Sequence, residues 1–127
     1  MIRLLAIVVF SFFSATSALS ADLDWKWSKA DTALQLTWTT MHVLDWSQTR
    51  KIAKEPERFW ERNSIMGKHP SVDKVDVIFA MSAILDVAIA RMLPRPYRTY
   101  FQIVSIGATG YCVTINFSIG LGGGDWF

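Results

Sequence analysis

Three ionisable side chains stand in stretches that are otherwise apolar: His42 and Asp45 in one, Asp86 in another. An isolated charge in such a run is costly to desolvate, so it normally meets a partner, a cavity or an ion path. Brought face to face in a bundle, two carboxylates and an imidazole could share a proton, hold a cation or act as acid and base. The same residues could serve as polar glue between helices, with Asp86 reaching Ser82, Gln102 or Thr109. The second use is the commoner one, so His42, Asp45 and Asp86 form a candidate functional polar cluster and no catalytic residue is assigned. A metal site would need His42 and Asp45 with Asp86 or Glu61 as third ligand. With Cys112 the only cysteine and His69 the only other histidine, soft ligands are few, and no metal or cofactor is expected.

Three helices must position these groups. Thr32-Ala33-Leu34-Gln35 has the pattern of a capping box, which predicts a first helix from about Ala33 to Ala53. His42, Asp45 and Thr49 then share one face, with Gln48 beside them. Ser71, following His69-Pro70, predicts the N-cap of a second helix, and Asp73 and Asp76 suit its positive end. Between Val77 and Ala90 only Ser82 and Asp86 are polar, and Arg91 closes the run. Pro94 and Pro96 make a tight connection to a third helix over about Tyr97–Asn116. The small residues Ser105, Ala108, Thr109, Gly110 and Cys112 of that helix would let a neighbour approach closely. From Tyr111 to Leu121 apolar residues alternate with small or polar ones, a strand period. A membrane barrel needs about eight such strands, and no other segment offers one, so the helix reading is preferred. Ser118–Phe127 is a Gly-rich tail.

The N-terminus reads as a secretory signal. Arg3 is its basic start, Leu4–Phe13 its apolar core and Ser14–Ser20 a small-residue run, with cleavage before Ala21 or Asp22. The organisation expected is a signal peptide or signal anchor over residues 1–21 and a single helical membrane domain over 22–127. Composition leans the same way: 51% of residues are apolar, 19% are charged and six are Trp, a side chain that favours the lipid–water interface. A net charge of +2 gives no footprint for nucleic acid. One cysteine excludes an internal disulfide framework.

The fold expected is therefore all-α: a membrane helical hairpin or three-helix bundle after the signal sequence. Arg50, Lys51, Lys54, Arg58, Arg62, Lys68 and Lys74 gather between the first two helices. If the N-terminus is exported and the first helix spans, they lie on the cytoplasmic side, as the positive-inside rule asks. Arg95 and Arg98, after the second helix, are then a mild violation. Arg58, Arg62 and Lys68 are candidate contacts for lipid headgroups; the alternative is a turn whose charges are simply solvated.

Asp45-Trp46-Ser47-Gln48-Thr49, Glu61-Arg62-Asn63 and Gly67-Lys68-His69-Pro70-Ser71, with Asn116 near a Gly-rich end, resemble a pattern in small exported or inner-membrane proteins of phages and bacteria. In many of those sequences Pro follows the Glu-x-Asn; here Ser64 stands instead, which puts the shape of the turn in question. The resemblance implies a phage-like or bacterial origin and an envelope location, and brings no enzyme activity with it.

The function expected is that of a small integral protein of the bacterial inner membrane. It would act through lipid, another membrane protein or a second copy of itself, as a phage-type accessory. The alternative is an intramembrane enzyme or ion-coupled carrier that uses buried carboxylates.

Overall fold

The computed structural model describes residues 23–122. The expected signal over residues 1–21, Asp22 and the end of the Gly-rich tail from Gly123 lie outside them. Among the described residues the architecture is three α-helices and no strand: α1 (Lys29–Lys54), α2 (Val72–Met92) and α3 (Tyr97–Ser118).

Helix α1 starts earlier than the Thr32/Gln35 box would have it. Ser28 is the N-cap: its hydroxyl accepts from Asp31 N at 3.1 Å, while Asp31 Oδ2 accepts from Ser28 N at 2.8 Å. This reciprocal box satisfies two amide donors that the first turn leaves open, and Asp suits the positive end of the helix. Thr32 instead receives the Trp27 indole N–H at 2.9 Å, and Gln35 is left free to reach across the bundle. Lys51 and Lys54 suit the last turn, and Pro56 prevents continuation. Helix α2 begins as the sequence predicts, with the Ser71 hydroxyl accepting from Lys74 N.

Helix α3 runs through the alternating segment as far as Ser118, so the strand period there is not expressed. Its end is a Schellman turn: Leu121 N donates to Asn116 O, Gly120 N donates to Phe117 O, and Gly120 sits at φ +89°. That left-handed position favours glycine. The turn directs Leu121 back into contact with Ile52 and Phe59, so this one residue of the tail is packed while its described neighbours are exposed.

Helix α1 is the centre. It packs against α2, which runs antiparallel to it, and against α3, while α2 and α3 meet each other less. Two small apolar clusters, Ile52–Phe59–Leu121 and Met66–Val75–Phe79, close the end near the α1–α2 connection. The rest of the interior mixes the apolar Trp38, Ala90 and Val113 with many polar groups: Asp31, Ser47, Gln48, Thr49, Asp86, Arg98 and Gln102 are all buried. Large apolar side chains point outward instead, among them Val77, Met81, Ile84 and Leu85 of α2 and Ile103, Val104 and Tyr111 of α3. Among the described residues no helix is long and apolar enough to cross a membrane. The membrane character expected of these helices therefore does not follow from their length and apolarity alone.

Candidate functional site: the polar interior

At the end of the bundle where α2 turns into α3, Arg98 is the organising residue. Only 1% exposed, it donates from Nε to Ala90 O at 2.9 Å, and from its two terminal nitrogens to Lys26 O, Trp25 O and Asp31 Oδ2 at 2.9, 3.0 and 3.2 Å. A planar fork of five N–H donors suits such a convergence of acceptors. The segment before α1 is thereby clasped to the α2–α3 turn. Arg95 strengthens the clasp, donating its backbone N–H to Asp24 O and its guanidinium to the Ser28 hydroxyl. The guanidinium groups of Arg91 and Arg98 both lie over the Trp27 ring, 4.0 and 5.1 Å from its centroid. Neither Arg95 nor Arg98 is thus a free loop cation.

Burial acts to raise the pKa of Asp31. The Ser28 backbone and hydroxyl, the Arg98 guanidinium and the charge of Arg95 outweigh it and hold the carboxyl below its ordinary 3.8.

A ladder of amides descends from this node. Gln102 Nε2 donates to Asp31 O and to Gln35 Oε1, and Gln35 Nε2 donates to Asp86 Oδ1 at 2.9 Å. Asp86 is thus held from α1, with α3 reaching it only through Gln102 and Gln35. One turn lower, Trp38 Nε1 donates to Thr109 Oγ1 at 3.1 Å and ties α1 to α3.

His42 faces α2. Its ring stacks on Trp38 with centroids 4.5 Å apart, and Nε2 lies 3.0 Å from Phe79 O and 3.2 Å from Ser82 Oγ. A carbonyl only accepts, so Nε2 carries the proton towards Phe79, while the Ser82 hydroxyl also donates to Phe79 O at 2.9 Å. Beside the ring an open groove between α1 and α2 is lined mainly by Val43, Trp46, Phe79, Ala80 and Ala83.

Asp45 faces α3 rather than α2, accepting from Asn116 Nδ2 at 3.0 Å. Its surroundings are the reverse of those at Asp31. Burial, with the negative charge of Glu61 from the connection, pushes its pKa from 3.8 up to about 7 against the single amide of Asn116. Gln48, one turn on and 2% exposed, has neither amide atom hydrogen-bonded.

The structure therefore gives each member of the predicted cluster its own partners: Phe79 and Ser82 for His42, Asn116 for Asp45, Gln35 for Asp86. Among the described residues no group of three or more His, Cys, Asp and Glu side chains is placed to hold a metal ion. The residues that sequence reasoning did not single out are Asp31, Arg98 and Gln35. A signal for them exists: Asp31/Gln35, Ser82/Asp86 and Arg98/Gln102 are all polar pairs four residues apart, one pair on each helix. Compared with protein-family models, curated proteins and solved structures, the chain shows no match.

Proposed function

We propose that this chain is a small membrane-embedded helical protein of the bacterial envelope, whose α2–α3 hairpin faces lipid while α1 supplies polar support behind it. The observation that carries this reading is the inverted distribution of side chains. Asp86, Arg98 and Gln102 are buried, whereas Ile84 is 63% exposed, Val77 62% and Leu85 54%. In water this arrangement leaves a broad apolar patch uncovered and places the polar groups where they gain least. In lipid both halves become favourable, because helices associate there through interhelical hydrogen bonds and close packing.

The hydroxyls point the same way. Thr37, Thr39, Thr40 and Thr114 are exposed, yet each bonds the carbonyl four residues back in its own helix. That leaves no hydroxyl proton seeking water. The resemblance to exported and inner-membrane proteins of phages and bacteria supports an inner-membrane setting and an accessory role exercised through lipid or protein contacts.

The reading is tested by alkaline extraction of membranes from cells that express the full chain. Retention in the pellet is the result expected. Release into the supernatant would show a peripheral protein and overturn it.

A second reading, an ion- or proton-coupled carrier, is favoured by one observation: Asp45, held by the Asn116 amide, lies one helical turn from Gln48, whose buried amide makes no hydrogen bond. Unchanged proton or ion flux in an Asp45→Asn/Asp86→Asn variant would exclude it.

A further inference from the structure

The carboxylates at the two ends of α1 differ in the positive charge that meets them. Asp31 has Arg95 and Arg98. At the other end Glu61 lies close enough for its charge to act on Asp45, and both act on the Cys112 thiol, one turn before Asn116. Among the described residues neither Asp45 nor Glu61 is in an ion pair. The arginines around them are turned elsewhere: Arg50 pairs with Asp76, Arg58 with Glu55, and Arg62 is exposed.

The end of α3 adds to the negative potential. Helix α1 carries Lys51 and Lys54 in its last turn and α2 carries Arg91, whereas α3 has no basic residue there. The partial negative charge of its C-terminus is therefore met by no cationic side chain of its own. The hydrogen bond from Asn116 sets this turn against Asp45. Gln48 faces the same place. Its neighbours along that side of α1, Asp45 three residues before and Ile52 four after, touch Asn116 and Leu121 at the end of α3. Gln48 is 2% exposed, and its amide oxygen has no hydrogen-bond donor. Carboxylate and amide oxygens are the ligands of a hard cation.

We propose that this end of the bundle binds a sodium ion, held by the carboxylates of Asp45 and Glu61 and by Gln48 Oε1 against the C-terminal end of α3. The ion takes the place that the two arginines fill at Asp31. Asn116 acts as a positioning residue, fixing the Asp45 carboxylate by its amide. No third His, Cys, Asp or Glu joins the two acids, so the set suits a monovalent cation better than a divalent one. Helix C-terminal ends are used for sodium in the same way in transporters. The inference does not depend on the membrane reading, and it gives the carrier reading its ion without requiring transport.

The test follows thermal unfolding of the full chain, purified in a neutral detergent at about pH 8, where carboxyls are ionised. Exchanging choline chloride for sodium chloride at about 100 mM is expected to raise the midpoint by on the order of 3–6 °C, as binding to the folded state requires. Asp45→Asn and Gln48→Leu are each expected to lose that shift. Glu57→Gln, which removes a carboxylate from the same connection, should keep it. In choline chloride Gln48→Leu should unfold no earlier than wild type, so its loss is confined to the sodium increment. Equal wild-type midpoints in the two salts would overturn the proposal, as would a shift that survives in Gln48→Leu. A gain from calcium at about 1 mM with none from sodium would also overturn it, marking a divalent site. Failure of the membrane reading is seen separately, as alkaline release of a chain that still answers to sodium.

Discussion

Asp31 and Asp45 stand on the same helix and are treated in opposite ways. Asp31 closes a capping box, receives Arg98 and lies near Arg95, and its carboxyl is held ionised. Asp45 has one amide donor, a neighbouring carboxylate and a half-buried setting, and its pKa is pushed up to about 7. Beside Asp31 the Gln102 amide nitrogen bridges to Gln35; beside Asp45 the Gln48 amide is left without partners. Buried polar atoms without a hydrogen bond occur at both ends, Asp31 Oδ1, Arg95 Nε and Gln102 Oε1 at the first and the Gln48 amide at the second, so the ends differ in the arginines that meet Asp31 and not in how completely their polar groups are paired.

The contrast is broken most forcefully at Arg98. Arg98→Met keeps much of the volume but leaves three carbonyls without their donor and Asp31 with only Ser28 and Arg95, and should destabilise the detergent-purified protein by ~3–5 kcal/mol in denaturant unfolding. A loss below about 1 kcal/mol would mean that the clasp does not organise this end.

Gln48→Leu should act in the other direction. Replacing an unsatisfied buried amide by an apolar group of similar size relieves a desolvation cost of ~1–3 kcal/mol, so stability should rise or hold in the same assay. A marked loss would reveal a partner for Gln48, such as a bound water or ion.

The pH dependence sharpens the comparison without a change in fold. Asp31 is more acidic folded than unfolded, so its contribution is complete above its ordinary 3.8 and is lost as pH falls through the lower folded value. Asp45 is less acidic folded, so stability should decline as pH rises from 3.8 to about 7 and level off beyond. Asp45→Asn should flatten that decline and leave the acid limb in place. A variant that keeps the neutral-range slope would assign it elsewhere.

Much of the fold is legible in the residues, but the pairing of the site is not. Ser71 after Pro70 marks the start of α2, Pro94 marks its end, and apolar runs around Ser82 and Asp86 mark a helix, because these signals act within a few residues. The start of α1 is harder, since Ser28/Asp31 and Thr32/Gln35 both offer caps and only tertiary structure decides. With Arg98 and Asp86 to satisfy, Asp31 and Gln35 are worth more pointing inward. The separation of His42 from Asp45 has the same origin. Three residues apart on α1 they differ by 60° around the axis, enough for one to face α2 and the other α3. Period alone fixes a face and not the helix that covers it.

The most direct test of the account is the medium around the outer face of α2. A single thiol placed by Leu85→Cys in a Cys112→Ala background, carrying a fluorescent label in the reconstituted full chain, would report it. The account predicts quenching by a lipid-phase quencher and protection from iodide. Iodide quenching without lipid-phase quenching would place this face in water and contradict a lipid-facing α2–α3 hairpin.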